Sequence, residues 1–262
     1  MIRSLKTAAS GMYAQQLYVD TIANNLANVN TTAYKKTKLE FQDLLYHTIK
    51  ASGLPGKNGV ADPTSLQIGY GVRPIASQKI FIQGELSQTD NQLDLAIQGR
   101  GFFRLLDGNG ESVYTRDGSF KLSGDGSMVT SHGFRLEPEI IIPSDAVSIT
   151  VNKNGLISVI VEGDNLPIEI GKIELTNFIN PAGLENLGEN LYRETSASGE
   201  PLTNFGNSLN IGVLHQGFLE TSNVNVVEEM VNMIVAQRAY EINSKAVRAA
   251  EEMLSTVTNL KR

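Results

Sequence analysis

With 262 residues, 41% hydrophobic and 19% charged, the chain can bury one large core or two modest ones. Its net charge of −6 is uneven: residues 1–50 hold six basic against three acidic side chains, residues 222–262 hold five of each, and the stretch between holds 11 against 20. An acidic middle argues against nucleic acid as a partner, and the lack of cysteine removes thiol nucleophiles, disulfides and cysteine-ligated metals.

The first element predicted is a helix from about Ser4 to Ala27. Ile2, Leu5, Ala9, Met12, Val19, Ala23 and Leu26 recur at alternating spacings of three and four, with Gln16 the single polar interruption. That alternation places every member on one helix face, as in coiled-coil packing. The same segment is too often broken by Gln15, Gln16 and Asp20 to serve as a cleavable export signal, and no stretch has the roughly 20 apolar residues of a membrane span.

An asparagine-rich run, Asn24 to Thr32, predicts a helix end and a change of direction. The short basic run Lys35-Lys36-Thr37-Lys38 is expected to be a solvated helix end or turn. Leu39 to Ile49, with Phe41, Leu44, Leu45 and Tyr46, fits a short helix or an extended arm, and the Gly- and Pro-rich Ala51 to Gly59 reads as a loop.

From about Leu66 to Glu220 the texture changes to short strands and turns. Asp107-Gly108-Asn109-Gly110 separates Phe102–Leu106 from Ser112–Thr115, and Asn154-Gly155 separates Ile149–Val151 from Leu156–Val161. Both are hairpin signals, because Gly and Asn accept the positive φ of tight turns. Asp117-Gly118 and Ser123-Gly124-Asp125-Gly126 add further turns, so an all-β barrel or sandwich is expected.

The last element is a helix from near Asn225, capped by Asn225 with Glu228 three residues on, to Leu260. Val235, Ala239, Ile242, Ala246, Ala249, Met253, Thr256 and Leu260 repeat the spacing of the N-terminal seam, and Tyr240, Val247, Ala250, Leu254 and Val257 form a second stripe beside it. Periodicity leaves open whether the two seams pair within one chain or with other copies.

Catalytic motifs are missing. There is no Gly-x-Ser-x-Gly elbow, and Gly56-Lys57 lacks the flanking residues of a phosphate loop. Asp107-x-Asn109-x-Glu111 starts like a calcium loop but has Ser112 where Gly is needed and Gly118 where Glu is needed. His47, His132 and His215 stand far apart without ligand spacing. The expectation is a protein that is not an enzyme, with no cofactor and no metal.

At the termini the sequence resembles the bacterial flagellar basal-body rod and hook family. The resemblance is carried by Ser4 to Met12 and Ala23 to Thr31, by Gly217 to Asn225, and by Met233 to Glu241. Asp94 to Phe103, Tyr114 to Phe120 and Asn180 to Leu184 are similar to that family's central blocks. Phe41 to Tyr46 with its following Gly/Pro loop looks like the distal-rod branch; the alternatives are the proximal-rod branch, or a secreted protein that does not polymerise.

The resemblance implies an α+β fold. Residues 1–35 and 221–262 would supply the helices of a coiled-coil-like tube domain, 36–65 a rod-type arm and 66–220 a central all-β domain. It implies a self-assembling subunit of a rigid hollow drive shaft that transmits torque to the hook. Leu5, Met12, Val19, Leu26, Val235, Ile242, Ala249 and Met253 would be polymer-interface positions, and Phe41, Leu44, Leu45 and Tyr46 the arm. Expected partners are other copies, other rod subunits, the hook protein, basal-body rings and the flagellar export apparatus. The expected location is the rod crossing the periplasm, reached without a cleavable signal and without membrane insertion.

Overall fold

The structure, a computed structural model, describes residues 2–50, 64–108, 110–163, 166–204 and 212–259. Two long helices flank a strand-rich middle: α1 spans Ile2–Ala27 and α2 spans Val226–Asn259. The fold is therefore α+β, as expected from the sequence. The chain divides into two compact units, one made of Met1–Ala27, Thr37–Gln78 and Asn225–Arg262, the other of Asn28–Lys36 and Lys79–Val224.

In the first unit α1 and α2 pack against each other. Ala8, Ala14, Ile22 and Asn25 are buried on α1, and Glu229, Ala236 and Ala250 on α2. Small residues let the backbones approach. A Cβ on Gly11 would lie 2.9 Å from Asn243 Nδ2, so any larger residue there would push on its neighbour. Asn25 closes the end of this seam. Its Nδ2 donates to Glu229 Oε2 (3.4 Å) and to Thr37 O (3.0 Å), while its Oδ1 accepts from Thr37 N (2.9 Å).

The N-terminus of α2 is capped as its sequence predicts. Asn225 Oδ1 accepts from the Val227 and Glu228 backbone N–H groups at 3.0 and 3.3 Å, an arrangement that contributes about 1 kcal/mol to a helix end. Glu228 and Glu229 in the first turn complement the helix dipole.

The segment after the asparagine run is extended. Strand β1 (Thr37–Asp43) pairs with β4 (Val72–Lys79), and β2 (Tyr46–Lys50) pairs antiparallel with β3 (Leu66–Gly69). Leu44 N donates to Gly71 O and Tyr70 N to Leu45 O, which joins the two pairs into one ribbon. Between a helix and an extended arm, the aromatic and β-branched Phe41, Tyr46, Thr48 and Ile49 favour the latter. Strands β3 and β4 thus belong, up to Gln78, to the helix-bearing unit. The Gly/Pro loop at Ala51 to Gly59 lies outside the described residues.

The second unit contains β5 (Leu86–Gln88), β6 (Leu95–Gln98), β7 (Phe102–Leu106), β8 (Ser112–Thr115), β9 (Lys121–Leu122), β10 (Met128–Val129), β11 (Arg135–Leu136) and β12 (Ala146–Val151). It continues with β13 (Leu156–Val161), β14 (Ile168–Lys172), β15 (Leu175–Asn177), β16 (Glu185–Gly188), β17 (Leu191–Arg193), β18 (Leu202–Asn204), β19 (Val213–Gln216) and β20 (Phe218–Glu220). Among the described residues the largest sheet runs β16-β17-β8-β7-β11-β10-β9, with β15 on β7 and β18 on β15. A three-stranded sheet, β12-β13-β14, and two pairs, β19-β6 and β20-β5, complete the unit.

The hairpins stand where Gly and Asn foretold them: β7 with β8, β12 with β13, and β9 with β10. At Gly118 close approach is the reason for glycine, since a Cβ there would collide with Leu95 O. Leu95, Ile97, Phe103, Leu105, Leu136, Ile157 and Val159, all fully buried, form the heart of an apolar core, and Phe102, Tyr114, Phe178 and Tyr192 form an aromatic cluster. In that cluster Phe102 meets Phe178 and Tyr192 edge-on, with ring centroids 5.7 and 5.8 Å apart.

Candidate assembly surface

The two helices carry their periodicity in two registers. The α2 face turned to α1 runs through Glu229, Ala236, Asn243 and Ala250, spaced seven apart, with the first, second and fourth buried and Asn243 half-buried. The seam read from apolar periodicity lies one residue earlier, about 100° around the helix. Val235, Ile242, Ala249 and Met253 consequently face outward, Ile242 with 66% of its surface exposed. Val227, Val231, Ile234 and Val257 extend this apolar face along the helix. On α1 the offset is smaller in effect: Leu5, Met12, Val19 and Leu26 are half-buried beside the contact line of Ala8, Gly11, Ile22 and Asn25.

The arm residues are placed along the ribbon. Phe41 sits edge-on to Tyr18 of α1, centroids 6.2 Å apart, and keeps over a third of its surface exposed. Leu44 is half-buried, while Leu45 and Tyr46 project from the ribbon, Leu45 with 83% exposed. The Tyr46 phenol is pushed up by a hydrogen bond to Asp43. Tyr18 is also pushed up, mainly by burial and then by the nearby Glu229 and Glu228 carboxylates.

Lys35 corrects the reading of the basic run as a solvated turn. Its side chain is completely buried in the second unit, where Nζ donates to Glu220 Oε1 (2.5 Å) and Ile82 O (2.9 Å). Burial lowers its pKa to about 8, against the raising influence of Glu220. Glu220 Oε1 also accepts from Gly84 N (2.8 Å), and its Oε2 accepts from Arg116 Nε (2.9 Å). Arg116 spends its remaining donors on the carbonyls of Ile97, Gly99 and Gly101.

Segments far apart in sequence meet at this node: the residues after the asparagine run, the Asp94–Phe103 block, the Tyr114–Phe120 block and the Gly217–Asn225 block. No periodicity reports such a cluster. The sequence signal available is a charged residue in three of these blocks, Lys35, Arg116 and Glu220, an arrangement that costs too much to bury unless the charges find one another; the Asp94–Phe103 block contributes carbonyls only.

Among the described residues no group of three or more His, Asp or Glu is arranged to hold a metal, and no helix is long and apolar enough to cross a membrane. The histidines are separate: His132 lies 3.4 Å from Glu189, His215 bonds Gln98 at 2.7 Å, and His47 sits on β2.

Three family models match the chain. Residues 5–35 match the flagella basal body rod protein model, residues 96–159 the flagellar hook protein FlgE/F/G D1 domain, and residues 215–260 the C-terminal model of flagellar basal body rod FlgEFG proteins. The chain is 49% identical over 264 residues to the flagellar basal-body rod protein FlgG of Borreliella burgdorferi, with both chains covered completely. It is 44% identical over 261 residues to the FlgG of Caulobacter vibrioides, covering 99% of this chain and all of the relative. To the FlgG of Bacillus subtilis it is 38% identical over 267 residues, again over both full lengths. Helical ends with an outward apolar face, a strand-rich middle and these matches along the whole length agree: the chain belongs to the flagellar basal-body rod and hook family, most similar to FlgG, and is a structural protein of the bacterial flagellum.

Proposed function

We propose that the chain is the distal-rod subunit, which assembles with copies of itself into a rigid hollow helical shaft that carries torque to the hook. The observation that carries this reading is the outward apolar face of α2. Val235, Ile242 and Met253 expose more than half of their surface, an arrangement a solitary chain gains nothing from. Burying such residues against neighbouring copies returns about 25 cal/mol per Å². Leu5, Met12, Val19 and Leu26 widen the same contact from α1, and Ala249 lets a neighbour approach closely.

The ribbon bearing Phe41, Leu44, Leu45 and Tyr46 adds contacts between copies that keep the shaft straight. The neighbours are other rod subunits, the hook protein and the basal-body rings, and the export apparatus delivers the chain to the rod across the periplasm. Other members of the family would occupy the proximal rod.

The test is Ile242→Glu in a motile host. The expected result is a chain that keeps the helix content and unfolding midpoint of the parent but builds no distal rod in electron micrographs of basal bodies. Full-length rods and normal swimming would overturn the assignment of this face. Labelling the chain in isolated basal bodies separates the distal from the proximal position.

A further inference from the structure

We propose that Glu220 is a buried latch. By holding Lys35 on one carboxylate oxygen and Arg116 on the other, it fastens residues 33–36 and 218–223 to the second unit as one cooperative element, which opens separately from the strand core.

Geometry sets this element apart. Among the described residues, strand β20, which carries Glu220, pairs only with the three-residue β5 and is outside the large sheet. Neither residues 33–36 nor residues 218–223 contribute a side chain to the main apolar core. Apart from the buried Ala33 and Tyr34, what holds them is polar. Ala33 N donates to Glu220 O (2.7 Å) and Thr221 N to Glu85 O (2.8 Å). Lys36 N donates to Asn223 Oδ1 (2.8 Å), and Asn223 Nδ2 donates to the carbonyls of Ile80 and Ile82. Glu220 sits at the centre, with its side chain fully buried and three donors on its carboxylate.

The charge balance makes the carboxylate the controlling member. Two cations and one anion are buried together, so the node carries a surplus positive charge, solvated by the carbonyls of Ile82, Ile97, Gly99 and Gly101. Removing the single negative charge leaves two cations facing each other in a dry site. Removing Lys35 instead leaves the balanced Arg116–Glu220 pair. The two losses are therefore unequal, and a purely apolar attachment gives no such asymmetry. Regions held by few apolar contacts open at lower free energy than the core they border. An open latch releases residues 33–36, which follow α1 in sequence after residues 28–32, and residues 218–223, which precede α2, and a closed one holds both.

Hydrogen exchange on the full chain, at a concentration where it is monomeric, tests this with Glu220→Gln and Lys35→Met. In Glu220→Gln the amides of Ala33, Gly84 and Thr221 are expected to exchange at least tenfold faster, while those of β7 and β8 change by less than threefold. In Lys35→Met the same three amides are expected to accelerate together but less, by three- to tenfold, because the Arg116–Glu220 pair remains. Should Glu220→Gln fail to fold, Lys35→Met decides alone. Equal acceleration of latch and strand amides, or none at the latch, would overturn the proposal.

Discussion

The strand core and the helix pair spend their apolar side chains in opposite ways. In the core, Leu95, Ile97, Phe103, Leu105 and Val159 are fully buried, so the unit is satisfied in one copy. In the helix pair the shared seam is built largely from Ala, Gly, Asn and Glu, while Val231, Ile234, Val235 and Ile242 point outward. The lesson is that hydrophobic residues report where burial ends up in the finished structure, which for one region is the monomer and for the other need not be. Stability and assembly should therefore respond to different substitutions.

The largest effect should come from the ion cluster. Glu220→Ala is expected to destabilise the second unit by about 3–5 kcal/mol, since two buried cations lose their counter-charge; chemical denaturation followed by tyrosine fluorescence measures it. A loss below about 1 kcal/mol would mean that water reaches the node. Next, Leu105→Ala should cost about 2–5 kcal/mol in the same assay, whereas Ile242→Ala should change monomer stability by less than about 0.5 kcal/mol. Equal losses at the two positions would erase the contrast between the regions.

Lys35 sharpens the comparison through pH. Its folded pKa of about 8 is below the usual lysine value, so between pH 8 and 10.5 the unfolded chain binds more protons than the folded one. Unfolding free energy should rise with pH across that window, by roughly 1–3 kcal/mol from this group. Subtracting the profile of Lys35→Met removes the contributions of the tyrosines and of Lys79. A flat difference would show that Lys35 is not buried as a cation. The smallest effect is expected at the helix cap: Asn225→Ala should cost about 1 kcal/mol, read as a lower melting point of the helical signal with the core amides unchanged.

Both helices, their ends, the Asn225 cap and the hairpins were legible in the sequence, because each rests on local physics: apolar spacing, capping chemistry and the φ preferences of Gly and Asn. The arm was ambiguous between helix and strand, since its apolar residues fit either period over so short a run. The register of the helix contact was not legible. Gly11, Asn25, Glu229 and Asn243 are invisible to a search for apolar stripes, yet they line the face that α1 and α2 share. Nor was the burial of Lys35, which depends on a carboxylate 185 positions away. Long-range electrostatic pairing leaves no period to read.

The chain passes between its two units at residues 27/28, 36/37, 78/79 and 224/225. On the strand-rich side three of those passages are knotted by hydrogen bonds among Tyr34, Lys36, Ile80 and Asn223. In sequence the strand-rich unit is therefore an insert, bounded by two helices that the chain encodes at opposite ends. Such an insert can grow, shrink or be exchanged between Gln78 and Asn225 without shifting a single residue of the α1–α2 register, provided those hydrogen bonds are preserved. One helical scaffold could in this way carry many different inserts.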